Sequence, residues 1–383
     1  MRDNQFTTQY SQIIDLISNI DPVSYSKSRD FLDGNVTRLS PYLTHGVIGL
    51  NQVKTFLETN YSSEKIEKLL FELAWKEYFL RVWENKMDDI WTDLKHPASY
   101  SNTQISLNIV DANTGINTID SAIEELYQTG YMHNHARMWT ASLVTNIAKS
   151  YWKIPSQWMY YHLLDGDIAS NTLSWQWVSG TFSSKKYFAN QENINKYSKT
   201  NQYNTFLDVS YEELAILKTP DVLVKTVNLD LVCLLNIWIE EYQEQDSAMK
   251  LYQHNGVQSE NLILFHPWSL DPTFASHISQ SDRILILEPS HFVKFPMSQK
   301  RINFILDLAS NIDNLQVFVG EIGDLDLSNY KTITARQYPA IEHWNVIPNI
   351  NFIPIDYMYP EINSYYGSFM SYWKKCQKKY RFR

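Results

Sequence analysis

Thirteen consecutive positions, Asp165-Gly-Asp-Ile-Ala-Ser-Asn-Thr-Leu-Ser-Trp-Gln-Trp177, combine two aspartates, an asparagine and two tryptophans. If this stretch enters a helix, Asp167, Asn171 and Trp175 fall at successive i+4 positions on one face. An acceptor, an amide and an indole in a row could all engage one flat polar heterocycle. Upstream, His133-Asn-His-Ala-Arg-Met138 sets Asn134 and Met138 one turn apart with Arg137 beside them. A buried guanidinium needs a carboxylate partner to replace its lost hydration, and Asp165 is the natural one. Each piece alone has an ordinary explanation: aspartates cap helices, arginines form surface ion pairs and tryptophans fill cores.

The order of the pieces is more specific than any one of them. A His-Asn-x-x-Arg helix followed by Asp-Gly-Asp…Asn…Trp-Gln-Trp resembles the flavin-pocket signature of the DNA photolyase/cryptochrome family. Thr37-Arg-Leu-Ser-Pro-Tyr-Leu43 with Gly46 looks like that family's phosphate-binding turn, Glu72-Leu-Ala-Trp-Lys-Glu-Tyr78 like its substrate-facing helix, and Thr114-Gly-Ile-Asn-Thr-Ile-Asp120 like its connecting motif. The resemblance runs in family order from Tyr25 to Tyr197 and implies non-covalent FAD. Thr37, Arg38, Leu39 and Ser40 would meet the pyrophosphate at a helix start, where hydroxyls and backbone N–H groups favour an anion, and Tyr25 would add a phosphate contact. Arg137 paired with Asp165 would lie over the isoalloxazine, Asp167 would accept from its polar edge, and Asn171 would face N5. Val36 stands where the family has Thr, removing a hydroxyl. Lys76 stands where it has Arg, keeping the charge but losing the bidentate fork.

A second set is implied toward a substrate cavity. Photolyases are among the enzymes that take a base out of the stack, and Glu72, Trp75, Asn134, Met138 and Trp177 match the family's pocket for cyclobutane pyrimidine dimers. Trp75 and Trp177 offer stacking faces, Glu72 and Asn134 reach polar edges. His133 and His135 do not reproduce the His pair of the six-four photoproduct enzymes, and His135 reads as structural. Trp175 and Trp152 match the first two members of the family's electron-transfer tryptophans. The third falls near Ser99-Tyr100, leaving three options: Tyr100 as substitute, another route, or a structural role for Trp152.

The elements that must position these residues are helical through about residue 205, with apolar residues at three-and-four spacing, as in 69–83 (LLFELAWKEYFLRVW) and 117–128 (NTIDSAIEELYQ). From about 226 a long helix over 228–253 precedes apolar runs at 262–265, 283–287 and 315–319, with an amphipathic helix over 297–311 between the last two. That alternation predicts βαβ units and a small parallel sheet. The expected architecture is therefore multidomain, α and α/β: an all-helical FAD-binding domain at 1–208, a linker at 209–225 around Pro220, and a smaller α/β domain at 226–383. Photolyases carry an α/β antenna domain before the flavin domain. Here the α/β region follows, as a permuted antenna-like domain with an unidentified antenna chromophore or as a plain interaction domain. His266-Pro-Trp-Ser and Glu288-Pro-Ser-His291 sit just past strand ends, where α/β sheets bind ligands.

Bulk properties bound the function. The net charge of −9 argues against non-specific nucleic-acid binding by the whole surface. The basic tail Tyr372-Trp-Lys-Lys-Cys-Gln-Lys-Lys-Tyr-Arg-Phe-Arg383 reads as a solvated helix end or, alternatively, as a phosphate-and-base contact. Cys233 and Cys376 are too few for a disulfide framework and wrongly spaced for structural zinc, so a reducing cytoplasm fits. No apolar run reaches membrane-spanning length and the N-terminus lacks a signal-peptide form. Three functions remain open: a light-driven lyase acting on DNA that contains pyrimidine dimers, a cryptochrome-type photosensor, and another FAD flavoprotein without repair activity.

Overall fold

The pattern read over 69–83 belongs to one 24-residue helix, Ser63–Lys86 (α5), whose buried residues Ile66, Leu69, Leu70, Leu73, Ala74, Glu77 and Tyr78 recur at three-and-four spacing. Glu64 in its first turn and Lys86 in its last complement the helix dipole. The computed structural model describes residues 6–232, 235–244, 250–252 and 259–379. Cys233, part of the expected 228–253 helix and tail residues 380–383 lie outside them.

The chain forms two compact units, one from residues 21–37, 61–231 and 364–383, the other from 1–20, 38–60 and 232–363. This differs from a sequential division at 208–226. The composition shift marks where strands begin, but packing decides membership, and the two ends of the chain pack with the half more distant in sequence.

The first unit is helical. It contains Pro22–Ser28 (α2), α5, Leu107–Val110 (α6), Asn117–Thr129 (α7), Asn134–Ser142 (α8), Lys153–His162 (α9), Ile168–Ser179 (α10), Gln191–Ser198 (α11), Tyr211–Ile216 (α12) and Phe369–Lys379 (α16). Two-residue strands Ile105–Ser106 (β1) and Thr226–Val227 (β2) pair antiparallel. Helix α7 stops at Gly130, whose φ of 73° suits a residue without Cβ; a Cβ there would also meet Leu164 Cγ at 2.6 Å. The expected linker is part of this unit. Ser210 and Glu213 form a capping box at the start of α12, and Leu214 and Leu223 are fully buried in the helical core.

The second unit carries the sheet, with Tyr10–Ser18 (α1), Ser40–Thr44 (α3), Leu50–Asn60 (α4), Leu235–Glu244 (α13), Pro289–Lys294 (α14) and Gln299–Ala309 (α15). Strands Lys250–Leu251 (β3), Asn261–Phe265 (β4), Ser281–Leu287 (β5), Leu315–Val319 (β6), Thr332–Arg336 (β7) and Ile350–Ile353 (β8) lie in the order β3-β6-β5-β4-β7-β8, every pair parallel. The parallel sheet read from the sequence is present. The 228–253 helix is not continuous: α13 occupies its middle, and Lys250–Leu251 pairs with β6. Residues 228–232 (NLDLV) alternate polar and apolar, a period that does not sustain a helix. The N-terminal segments join this unit through Tyr10 N–H donating to Asn311 (2.9 Å), His45 Nδ1 against Pro267 O (2.7 Å) and Tyr42 against Phe304 (6.2 Å).

Among the described residues no helix is long and apolar enough to cross a membrane.

Candidate functional site

Helix α10 starts at Asp167, whose side chain caps it by accepting from Ser170 N–H at 2.7 Å. The same carboxylate receives Lys76 Nζ from α5 at 3.2 Å. Burial alone would push the Asp167 carboxyl up, but the Lys76 charge and the Ser170 bonds outweigh it and hold the group below the usual range. Two residues earlier, Asp165 takes both its oxygens to Arg137 Nη2 at 2.9 Å each. Arg137 projects from α8 and also donates Nε to Met132 O at 2.8 Å, which fixes its guanidinium plane. Asn171 lies one turn past Asp167 and donates its amide to Ser156 O at 2.8 Å, leaving its carbonyl as an acceptor. Lys76, Arg137, Asp165, Asp167 and Asn171 are thus gathered at the junction of α5, α8 and α10. The Ser170 hydroxyl lies beside them, against the Asp167 carboxylate.

The other residues expected to hold a cofactor are placed differently. Tyr25 sits on α2 in the same unit, where burial and Glu72 raise its phenol. Thr37 closes a segment of the helical unit, whereas Arg38, Leu39 and Ser40 belong to the sheet unit. Ser40 opens α3, and the cap residue Leu39 makes no side-chain cap bond.

Of the outward set, Glu72 is held by Arg29 Nη2 at 3.0 Å and Lys68 Nζ at 3.3 Å. Asn134 is exposed at the start of α8 with its amide 3.9 Å from Met138 Sδ. Trp177 is half-buried beside Tyr187, centroids 5.7 Å apart. Trp75 is half-buried too, but one of its faces is taken: Phe369 of α16 stacks on it, centroids 3.7 Å apart and planes 14° from parallel. The tail is therefore not simply a solvated helix end. Phe369, Tyr372, Trp373 and Cys376 are buried, Tyr372 donating its hydroxyl to Glu77 at 2.7 Å, while Lys374, Lys375 and Lys378 face outward. Its interleaved aromatics Tyr372 and Trp373 are core side chains, unavailable for stacking bases. Burial pushes the Cys376 thiol up to about 12.

His135 is packed between Trp139 and Tyr197, with Nδ1 2.5 Å from Asp30 O. His133 is held neutral, pushed down to about 4 by burial, with His135 and Arg137 adding to the shift.

Trp175 and Trp152 are both fully buried in one core cluster. Trp152 donates Nε1–H to Asp93 at 2.7 Å, and Tyr151 donates its hydroxyl to the same oxygen at 3.2 Å. The Tyr151 ring is 5.5 Å from Trp152 and 4.8 Å from Tyr100, which is 49% exposed. Sequence reading missed Asp93, Arg29 and Tyr151, since none belongs to a recognised motif and each is brought in by a loop or a short helix.

In the sheet unit the two segments past the strand ends do meet, at the C-terminal edge of β4 and β5, in a small cavity lined by His266, Trp268, Glu288, His291 and Trp344. Glu288 is saturated by His343 (2.9 Å), Trp344 Nε1 (3.1 Å) and Ile322 N–H (3.2 Å). Burial holds His266 down to about 4 and His291 to about 3.

Comparison with known proteins bears on the helical unit. Residues 69–229 match the family described as the FAD binding domain of DNA photolyase. The deoxyribodipyrimidine photo-lyase of Streptomyces griseus is 32% identical over 164 residues, covering 41% of this chain and 35% of that protein. The enzyme of the same name from Halobacterium salinarum is 28% identical over 169 residues, with the same two coverages of 41% and 35%. The chain thus spans about a third of the length of these curated relatives. Among solved structures, a Synechocystis cryptochrome aligns with a TM-score of 0.46 at 20% identity, over 50% of this chain and 44% of that one.

Proposed function

Through residues 69–229 this chain belongs to the photolyase/cryptochrome family, and on that premise we propose that it is an FAD flavoprotein that splits cyclobutane pyrimidine dimers in DNA when illuminated. The observation that carries the cofactor is the paired-charge cradle around Asn171: Lys76 with Asp167 on one side, Arg137 with Asp165 on the other.

The donor set fits a flavin. Arg137 and Lys76 supply fixed positive charge beside a ring that gains electrons, and their partners keep them in place when the ring is neutral. Asn171, its N–H engaged by Ser156, presents a carbonyl to a ring N–H. The Ser170 hydroxyl, beside Asp167 at the same helix start, would be a further polar contact. Bound FAD would supply reversible light-driven electron transfer. Glu72, already held by Arg29 and Lys68, would accept from the polar edge of a flipped dimer; Asn134 would donate to it, and Met138 and Trp177 would wall it. The setting is a reducing cytoplasm, in which the buried Cys376 stays a thiol.

A cryptochrome-type sensor is the second reading, favoured by Phe369 lying flat on Trp75, because a sensor can give up that stacking face and a base-binding enzyme keeps only the other. The test is to illuminate purified, photoreduced protein with an oligonucleotide carrying a thymine dimer. Restored thymines support repair; bound FAD with no restoration supports the sensor. An antenna chromophore on the sheet unit would show as a second absorbing species released on denaturation.

A further inference from the structure

We propose that Tyr151 and Tyr100 form the outward end of the electron path from Trp152, with Asp93 as the proton acceptor that makes Tyr151 oxidisable. The inference rests on the flavoprotein reading above only in that electrons must be drawn inward from Trp152.

The geometry runs from core to solvent in three steps. Trp152 is fully buried, Tyr151 half-buried and Tyr100 49% exposed. Ring centroids are 5.5 Å apart across Trp152 and Tyr151 and 4.8 Å across Tyr151 and Tyr100. The approach of the last pair is built in by backbone. Ser101 N–H donates to Lys149 O (2.8 Å), Tyr151 N–H donates to Asn102 O (2.8 Å), and the Asn102 side chain receives Ser150 Oγ (3.2 Å). Two short segments are laced together with one tyrosine on each.

Asp93 supplies the chemistry that a bare tyrosine lacks. A phenol is hard to oxidise unless its proton leaves with the electron, because the protonated radical is a very strong acid. In the resting protein burial, with the Asp93 charge adding to it, pushes the Tyr151 phenol up to about 12, so the proton is present before oxidation. The carboxylate oxygen that would take it lies 3.2 Å away. That oxygen also faces the Trp152 indole N–H at 2.7 Å, where its negative charge stabilises the positive charge left when Trp152 loses an electron. Asp93 is itself fixed by accepting from Ala98 N–H at 2.8 Å through its other oxygen.

The steps balance without any heavy-atom bond changing. Trp152, one electron short, takes an electron from Tyr151, and the phenolic proton moves to Asp93. This leaves a neutral tyrosyl radical and a neutral carboxylic acid. Tyr100 then gives an electron to Tyr151, which recovers its proton from Asp93, while the Tyr100 proton goes to water. A small thiol in solution returns one electron and one proton to Tyr100, and two thiyl radicals couple to a disulfide.

The test uses full-length, FAD-loaded protein in the dark-oxidised state, dithiothreitol as the thiol, and light-induced electron paramagnetic resonance to identify the radical. Wild type should show a tyrosyl signal. Tyr151→Phe keeps the ring and its packing, and should replace that signal with a short-lived tryptophanyl one and slow steady photoreduction at least 10-fold. Asp93→Asn keeps a hydrogen-bonding side chain but no basic carboxylate, and should likewise lose the tyrosyl signal. Tyr100→Phe should retain the Tyr151 radical while slowing its quenching by dithiothreitol. A radical confined to tryptophan in wild type, or a Tyr151→Phe protein identical to wild type, overturns the proposal with FAD binding intact. If no FAD is taken up, the flavoprotein reading is what fails. The relay is then read in flavin-free protein by pulse radiolysis with azide radical, as a fast tryptophanyl-to-tyrosyl conversion lost in Tyr151→Phe; its persistence in that variant overturns the relay.

Discussion

Phe369 lies against Trp75 with ring centroids 3.7 Å apart and planes 14° from parallel. It is not an isolated contact: Phe71 meets the edges of Phe369 and Trp373 at 4.9 and 5.4 Å, and Tyr78 meets Tyr372 at 5.6 Å. Helix α16 thus presents its aromatic face to α5, and each such side chain removed from water contributes about 1.5–3 kcal/mol.

Truncating Phe369 should therefore be costly. Phe369→Ala is expected to lower stability by about 3–5 kcal/mol, and Phe369→Leu, which keeps most of the volume, by about 1 kcal/mol. Urea denaturation read by tryptophan fluorescence measures both. Near-identical midpoints for the two variants would mean that α16 is not held by this stack.

Removing the partner ring separates the two functional readings. In a lyase, Trp75→Ala should weaken dimer-DNA binding about 10- to 100-fold while flavin content stays the same, since one base-stacking face is worth about 1–3 kcal/mol. Glu72→Gln should lower repair per absorbed photon more than affinity. A sensor shows neither effect in a filter-binding and repair assay at fixed salt.

The cradle makes a prediction about cofactor retention. Asp165→Asn leaves Arg137 without a charged partner in a mostly buried site, which should reduce bound FAD at least 10-fold and cost about 3 kcal/mol of stability. Lys76→Met should weaken FAD and raise the Asp167 carboxyl by removing the charge that holds it down. The absorbance ratio of flavin to protein after gel filtration reports the first effect in each variant.

Acid should destabilise both units before the carboxylates titrate. His133 in the helical unit and His266 and His291 in the sheet unit are kept neutral by burial, at about 4, 4 and 3 against an ordinary 6.5. The unfolded chain binds protons that the folded one refuses, so stability is full above 6.5 and falls as pH drops toward about 4. Asp167, held below its ordinary 3.8, adds a loss at still lower pH as it is forced to protonate. Thermal midpoints from pH 8 to 3 should show the first decline beginning near 6.5. A flat profile down to pH 4 would mean that these imidazoles are hydrated in the folded protein.

What the sequence disclosed follows from how local each signal is. Helix α10 and its Asp167 cap, the Arg137–Asp165 pair and the strands Leu262 to Phe265 and Leu315 to Val319 are all written within short windows of periodicity, capping or motif. Strands β7 and β8 were not legible, because Thr332–Arg336 and Ile350–Ile353 are short and mix polar with apolar residues. Asp93 and Arg29 carry no pattern at all and acquire meaning only from what they face. The tail misled in a particular way: its composition reads as a solvated helix end or as a phosphate-and-base contact, whereas helical spacing sends Tyr372, Trp373 and Cys376 inward and only Lys374, Lys375 and Lys378 outward.

The Tyr372 to Glu77 hydrogen bond joins residues 295 positions apart. On a ribosome adding about 5–20 residues per second, α5 would wait about 15–60 s for the helix that covers it. Throughout that interval Phe71, Trp75 and Tyr78 form an uncovered aromatic stripe, which is the kind of surface that holdase chaperones bind and that drives aggregation during synthesis. Slow translation near the 3′ end of the message would lengthen the exposure, and a chain released early would never close it.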